Sequence, residues 1–194
     1  MEFYDLIRKR KMVRAFRPDP IPDDSLARIL DAAQRAPSAG HSQGQRFIVI
    51  QDETRKAKIA ENCNERMYTA AGYAPFISGA PVLIIPCTNE QIYRRRYREK
   101  DKLLPDGSEF VWPAPYWYMD IGCSVMNILL AAVEEGLAAG FACFSDNPAL
   151  RELLGIPEEV EPMGAIPIGY AAPDQTSPSQ WREKSKDIIR FERW

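Results

Sequence analysis

The feature that most constrains the fold is the long segment after Asp120, whose sequence IGCSVMNILLAAVEEGL is apolar on almost every side. A surface helix carries a single apolar stripe, whereas a helix that is apolar all round must be buried. Only Asn127 and the glutamates near the end of the segment interrupt this pattern. The segment therefore predicts a central helix, and the rest of the chain must supply the layers that cover it.

A second helix is indicated in IPDDSLARILDAAQRAPSAG. Its apolar residues repeat at the i, i+3, i+4, i+7 spacing of a core-facing helix, at Leu26, Ile29, Leu30 and Ala33. Asp23 is expected to cap its first amides, and Pro37 is expected to stop it. One face of this helix is available to cover the central one.

Shorter patterns predict the remaining elements. Helices are expected at 3–9, 54–67 and 149–154, the last with Asn147 and Pro148 as cap and first-turn residues and Gly155 at its end. Strands are expected at 47–50, 82–85, 141–144 (FACF) and 164–170, where Pro167 indicates an edge position or an irregularity. The consecutive strands do not fit a simple βαβ ladder. The chain is therefore predicted to be a single α+β domain, residues 1–194, with a helix-covered sheet.

Residues 8–17, RKRKMVRAFR, contain six cations, although the whole chain has a formal net charge of -2. Such a run is either the solvated face of a helix end or an anion-binding site, and the sequence leaves both open. A pI near 5.6 argues against a general nucleic-acid-binding protein, because such domains normally carry a net basic surface. The basic run is therefore a local feature.

The chain start has no apolar leader pattern, and no stretch approaches about 18 consecutive apolar residues. A cytoplasmic protein is therefore expected. The four cysteines include no CxxC pair, and three of them lie in apolar contexts. Buried free thiols are predicted rather than disulfides or a zinc site.

Most common catalytic patterns are missing from the sequence. There is no GxGxxG, no GxxxxGK[ST] and no GxSxG motif, and His41 is the only histidine. His41 could be a catalytic base, a polar contact in a binding loop or an exposed loop residue. No catalytic side chain and no metal site are assigned, and hydrolysis has little support.

Five segments in order nevertheless resemble the flavin-dependent nitroreductase family. They are IRKRKMVRAF, APSAGHSQGQRF, APVLII, DIGCSVMNILLAAVEEGL and LLGIPEEV with the later IPIGY. The resemblance implies an α+β sandwich with a central mixed sheet covered by helices. It also implies a homodimer that binds FMN at its interface, with termini that embrace the partner.

The resemblance implies a set of FMN-binding residues. Arg10 and Arg14 would clasp the FMN phosphate, with Lys11 and Met12 forming the turn between them, and Arg182 and Lys184 would be late partners. Arg8, Lys9 and Arg17 would remain solvated surface. The loop that borders the flavin ring would contain Pro37, Ser38, Ala39 and His41, and the strand near flavin N5 would contain Cys143 and Phe144.

The loop departs from the family pattern at three positions. His41 stands where the family usually has Asn, and Gly44 and Gln45 stand where it usually has Pro-Trp. Polar contacts of the Asn and the wall supplied by the Trp are therefore not expected in the same form.

The resemblance implies an oxidoreductase in which NAD(P)H reduces FMN and a nitroaromatic, quinone or similar conjugated compound then accepts the electrons. Other flavin chemistry on the same fold (dehalogenation, substrate dehydrogenation, flavin fragmentation) and non-catalytic flavin binding are the alternatives. A lid-like insertion at about 90–119 is too long for an ordinary connection. Its aromatic residues would either roof the flavin or pack in the dimer interface: Phe110, Trp112, Tyr116, Trp117 and Tyr118. Arg94, Arg95 and Arg96 would meet an acidic substrate or water.

Overall fold

The computed structural model describes residues 1–173 and 188–194. The helices in these residues are α1 (Phe3–Lys9), α2 (Asp23–Gln34), α3 (Glu53–Asn62), α4 (Glu65–Ala70), α5 (Glu90–Arg96), α6 (Tyr116–Glu134) and α7 (Asn147–Leu154). The strands are β1 (Gln45–Ile50), β2 (Val82–Thr88), β3 (Ala138–Ala139), β4 (Glu161–Pro162) and β5 (Ile166–Gly169).

The strands form one sheet in the order β1-β2-β5-β3, and β4 pairs with the end of β2. Each of these strand pairs is antiparallel. Within the described residues, the parallel part of the sheet is the isolated bridge between Met12 and Ala139. The predicted α+β fold is confirmed, and the mixed character of the sheet rests on that bridge.

Strand β2 is buried along its whole length and separates two apolar layers. Because successive side chains of a strand point to opposite faces, Val82 and Ile84 contact the layer of α2 and α6. Leu83 and Ile85 contact the opposite layer, which contains α3 and α7. Burial of each large aliphatic side chain contributes about 1.5–3 kcal/mol. The sheet is therefore covered by helices on both faces.

The basic run lies mostly on extended chain at the edge of the sheet. Helix α1 ends at Lys9, and the following residues hydrogen-bond to the sheet. The Val13 amide donates to the Ala139 carbonyl at 3.0 Å, and the Arg17 amide donates to the Tyr170 carbonyl at 2.9 Å. These bonds fix the basic segment beside β3 and the end of β5.

Two predicted helix caps are wrong by one residue. Asp23 is the first residue of α2, and Pro22 occupies the cap position without a side-chain hydrogen bond. In α7, the cap is Asp146, whose carboxylate accepts from the Ala149 amide at 3.1 Å. Asn147 already has helical conformation and therefore cannot cap the helix.

The helix predicted over 54–67 is divided into α3 and α4. Asn64 has φ 54°, and a single left-handed residue interrupts a right-handed helix although the apolar spacing continues. Gly155 ends α7 in the left-handed conformation with φ 63°, as predicted.

The strand predicted at FACF is also wrong, because Ala142 alone pairs there, in a bridge with Ala165. Pro167 does not lie at an edge, since β5 runs between β2 and β3. Its carbonyl accepts from the Gly140 amide at 3.0 Å. In an antiparallel strand, the N–H and C=O of one residue point to the same neighbouring strand. The nitrogen of Pro167, which has no hydrogen to donate, therefore faces the position just after the end of β3.

Helix α6 begins at Tyr116, four residues before the predicted segment. One face is buried against α2 and the sheet, but Tyr118, Met119 and Met126 are 43%, 60% and 45% exposed. In the single chain, the predicted burial of α6 is therefore confirmed for one face of the helix and wrong for the other. Its length and composition would suit a membrane span, a criterion that core helices also meet.

All four cysteines are free, as predicted. Cys63 and Cys87 are buried, and burial raises the pKa of each thiol to about 12. Cys123 and Cys143 are exposed, so the prediction of burial fails for these two.

Candidate functional site

The basic segment divides into paired and unpaired cations. Arg8 forms an ion pair with Asp5, and Arg17 forms one with Asp19. In contrast, Arg10, Lys11 and Arg14 make no side-chain hydrogen bond or ion pair with the residues that the structure describes. They lie on the segment that is fixed to the sheet edge. Among the described residues, no carboxylate pairs with these three cations, and the same is true of exposed cations such as Arg95.

The loop after α2 is held in an unusual conformation. Gly40, His41 and Gln43 all have left-handed backbone angles, with φ of 61°, 56° and 54°. Asp120, in the first half of α6, accepts from the Ala39 amide at 2.8 Å. The Ser38 hydroxyl accepts from the Gln43 amide at 2.9 Å. A hydrogen bond within the loop therefore stabilises its conformation, and a second one attaches the loop to α6.

Two tyrosines of the insertion pack directly against two glycines of this loop. A β-carbon at Gly40 would lie 2.6 Å from Tyr97 Cε2, and one at Gly44 would lie 2.2 Å from Tyr93 Cε2. Arg96, between the tyrosines, donates from Nε to the Gly40 carbonyl at 3.0 Å. Gly44 therefore replaces the family's Pro where Tyr93 leaves no space for a ring. Gly40 and Gly44 are four residues apart, and so are Tyr93 and Tyr97. This matched spacing was visible in the sequence and could have indicated the contact.

The aromatic residues of the insertion form one cluster within the chain. Trp112 lies at its centre, and its ring centroid is 4.3 Å from that of Tyr97 and 6.0 Å from that of Trp117. Phe110 and Tyr116 pack on the same indole. Most of the rings therefore pack against one another within the chain. The sequence-based alternatives, a roof over the flavin or packing in the dimer interface, did not include this role.

The arginines at the start of the insertion are mostly engaged within the chain. Arg96 binds Asp101 in a bidentate pair at 2.7 and 2.8 Å. Arg94 forms an ion pair with Glu90. Within the described residues these two contact protein carboxylates. Arg95 is exposed, and for it the two alternatives, an acidic substrate or water, stay predictions.

The other predicted site residues occupy different surroundings. Pro37 and His41 are exposed, and the His41 side chain makes no hydrogen bond with described residues. Cys143 is exposed beside the Ala142 bridge, whereas Phe144 packs against the α3 and α7 layer. Arg182 and Lys184 lie outside the described residues.

Five surface clefts among the described residues are not lined by Pro37, His41, Cys143 or Phe144. The largest, about 660 Å³, lies between α3 and α7. None of the five is lined by Arg10, Arg14, Ser38 or Cys143. These clefts therefore do not join the basic segment to the loop.

Comparison with known proteins assigns the chain to a family. The model of the nitroreductase family matches residues 7–170, which include the basic segment, the loop and the whole sheet. The chain belongs to the nitroreductase family. Its α+β sandwich is the fold of this family.

Relatives of this nitroreductase-family chain are named for two different activities. A provisionally named NADH dehydrogenase/NAD(P)H nitroreductase of Methanothermobacter thermautotrophicus is 29% identical over 100% of this chain and 88% of its own length. An iodotyrosine deiodinase of Haliscomenobacter hydrossis is 28% identical over 97% and 87%. A crystal structure of oxidized iodotyrosine deiodinase bound to FMN and 3-iodo-L-tyrosine has a TM-score of 0.74. It is 24% identical and covers 98% of this chain and 99% of its own.

Proposed function

We propose that the protein is an FMN-dependent oxidoreductase that uses NAD(P)H to reduce nitroaromatic, quinone or similar conjugated small molecules. The observation that carries the proposal is the state of Arg10, Lys11 and Arg14. These cations have no carboxylate partner among the described residues, and they lie at the sheet edge in a member of the nitroreductase family. A related fold contains FMN in its crystal structure.

The cations of the basic segment fit the negative charge of the FMN phosphate. Guanidinium groups bind phosphate through charge-assisted hydrogen bonds without a glycine-rich cradle, so Arg10 and Arg14 would hold the phosphate with Lys11 and Met12 between them. Arg182 and Lys184 are proposed as further phosphate contacts. The loop with Pro37, Ser38, Ala39 and His41 would border the flavin ring, and the backbone of Cys143 and Phe144 would approach N5.

When bound, FMN would supply hydride chemistry at N5. The chain would then need to orient the flavin and exclude water. The lack of a predicted catalytic base agrees with this division of labour. His41, the one histidine, is exposed and has no carboxylate hydrogen bond within the described residues.

We propose that the site is completed in a homodimer of a cytoplasmic protein. The exposed face of α6 carries Met119, Cys123 and Met126, one to two helical turns apart. Helix α1 contacts α6 and exposes Phe3 and Tyr4 at 60% and 71%. Exposed apolar surface of this kind marks interaction sites. Ile188, Ile189, Phe191 and Trp194 near the chain end are also exposed, at 73% or more.

Reductive dehalogenation of an aromatic substrate is the second candidate function. Iodotyrosine deiodinases align with 97% of this chain at 27–28% identity, which is close to the 29% of the nitroreductase-named relative. Substrate dehydrogenation, flavin fragmentation and non-catalytic flavin binding remain further alternatives.

The test begins with the absorbance of the purified full-length protein. The proposal expects visible flavin absorbance that NADH or NADPH bleaches anaerobically and that a nitroaromatic or quinone restores. R10A and R14A should lose FMN, whereas the matched control R8A should keep it, because Arg8 is paired with Asp5.

Three results would argue against the main proposal. Colourless protein that gains no absorbance from added FMN would contradict flavin binding. Tight FMN binding without nicotinamide oxidation under any acceptor would indicate a non-catalytic flavoprotein. Halide release from an iodinated phenol without reduction of nitro or quinone acceptors would favour the dehalogenase.

A further inference from the structure

The Gly40 carbonyl accepts a hydrogen bond from the insertion rather than from its own loop. The loop begins with a 3₁₀ turn, in which the carbonyls of Ser38 and Ala39 accept from amides three residues later, at 2.8 and 3.1 Å. The next bond of this pattern would join the Gln43 amide to the Gly40 carbonyl. Instead, the Gln43 amide donates to the Ser38 hydroxyl at 2.9 Å, and Arg96 Nε donates to the Gly40 carbonyl at 3.0 Å. Arg96 therefore replaces a loop amide that is used elsewhere.

A charge of opposite sign holds the preceding residue of the loop. Asp120 of α6 accepts from the Ala39 amide at 2.8 Å, so a carboxylate holds the N–H of one residue and a guanidinium holds the C=O of the next. Hydrogen bonds with one charged partner are about twice as strong as bonds between neutral groups. We name Arg96 and Asp120 the charge clamp. The charge clamp attaches one short stretch of the loop to two helices, α5 and α6.

Arg96 is itself held in one orientation. Its terminal nitrogens bind both carboxylate oxygens of Asp101, at 2.7 and 2.8 Å, and its side chain is 23% exposed. A bidentate pair fixes the plane of the guanidinium as well as its position. Tyr97, the next residue, packs its ring where a side chain at Gly40 would lie. Contacts within the insertion therefore direct Arg96 Nε at the loop.

The loop has a conformation that needs such support. His41 and Gln43 have φ of 56° and 54°, although both carry a β-carbon, which makes the left-handed region unfavourable. Residues of this kind persist where the surrounding structure holds them, and they cluster at ligand-binding sites. The charge clamp supplies two of the contacts that hold the loop from outside.

We propose that Arg96 is a positioning residue that holds this loop in the conformation that borders the flavin ring. The inference rests on the proposed function, which assigns Ser38, Ala39 and His41 to the ring of FMN. Arg96 would act through the loop and would not contact the flavin. Without its hydrogen bond the loop would populate relaxed conformations, and flavin affinity would fall in proportion to the fraction that remains competent to bind. The first helix of the insertion would then contribute to the flavin site through the loop.

The test compares two substitutions that differ in one hydrogen-bond donor. In R96Q, the glutamine Nε2 stands as many bonds from the backbone as arginine Nε and can donate to the Gly40 carbonyl. In R96M, that position is a methyl group, which cannot donate. Dissociation constants for flavin-free full-length protein, measured by flavin fluorescence, should rise about tenfold in R96M and less than about threefold in R96Q. FMN and riboflavin should be affected equally, because they share the ring.

A spectroscopic measurement separates positioning from general support of the fold. The visible circular dichroism of flavin bound at saturation reports the surroundings of the ring, so it should change in R96M and return to the wild-type form in R96Q. R98M is the matched control, because Arg98 belongs to the same insertion and pairs with Glu109 at 2.9 Å. It should leave both the flavin affinity and the spectrum unchanged.

The outcomes distinguish this inference from the proposed function. Equal weakening by R96M and R96Q would overturn the inference, since the donor to the Gly40 carbonyl would then not matter. Weaker binding in R96M with an unchanged spectrum of the bound flavin would also overturn it, because the residue would then only support the fold. Flavin binding that depends on R10A but not on R96M would overturn it and leave the proposed function intact. Failure of the wild-type protein to bind either flavin would reject the proposed function itself.

Discussion

The ring of Tyr93 occupies the space that a side chain at Gly44 would need. A β-carbon at Gly44 would lie 2.2 Å from Tyr93 Cε2 and 3.1 Å from the Asn89 carbonyl oxygen. Tyr93 is completely buried, so its ring cannot swing into solvent. The insertion and the loop that follows α2 are therefore matched to each other at this contact.

We expect G44A to destabilise the protein by about 1–3 kcal/mol, because overpacking forces the ring or the backbone to move. Thermal and denaturant unfolding would measure the loss. A double-mutant cycle with Y93S supplies the control, since the smaller residue removes the clash and G44A should then cost much less. Additive effects of the two substitutions would show that the ring does not restrict this position.

His41 has a left-handed backbone, with φ 56°, at the position where the family pattern has Asn. Asn and His both tolerate this region, whereas a β-branched residue is strongly disfavoured there. H41N should therefore leave the free energy of unfolding nearly unchanged, and H41V should lower it by about 1–2 kcal/mol. Both variants should be compared at the same flavin concentration, because bound ligand raises apparent stability. Similar melting temperatures for the two variants would contradict a left-handed His41 in solution.

The ion pair between Arg28 and Glu135 connects α2 to the end of α6, with Nη2 and Oε2 2.6 Å apart. Hydrogen bonding from Arg28, and then from Ser25, lowers the pKa of Glu135 from its ordinary value of 4.5 to about 2. A lowered carboxylate pKa stabilises the fold fully above the unfolded pKa and loses that effect as pH falls toward the folded pKa. The stabilisation should therefore disappear between about pH 4.5 and pH 2.

E135Q should be less stable than wild type at pH 7, and the difference should shrink through this acidic range. The effect should be small and weakened by salt, because the Arg28 side chain is 60% exposed. E152Q is the control, since Glu152 is exposed and has no ion pair within the described residues. A stability difference that stays constant from pH 7 to pH 2 would exclude the titration of Glu135 as its cause.

Elements with strong local signals could be predicted from the sequence. The apolar spacing of α2 and the continuous apolar run of β2 correspond to buried elements close to their expected positions. The interruption at Asn64 could not be predicted, because the apolar spacing continues through it and a single backbone angle divides the helix. Helix caps depend on the conformation of one residue in the same way, which is why Asp146 caps α7 instead of Asn147.

The candidate site was only partly predictable for a different reason. Family resemblance indicated Arg10 and Arg14, but not the rings around Arg14, since Tyr68 and Phe76 lie more than 50 residues away along the chain. Hydrophobic periodicity also does not say what covers an apolar surface. The exposed face of α6 has the same composition whether its own chain or a second copy packs on it.

The proposed homodimer predicts that this face of α6 is covered in solution. M119E would place a charge on it, so the variant should have a mass of 22.0 kDa rather than twice that value in sedimentation or light-scattering measurements. M67E is the matched control, because Met67 is 71% exposed on α4 and its substitution should leave the dimer intact. Cys123 lies one turn after Met119, so it should be protected from thiol reagents in the wild type and react in M119E. A wild-type monomer, or a dimer that M119E leaves intact with Cys123 freely reactive, would show that the two copies do not meet at this helix.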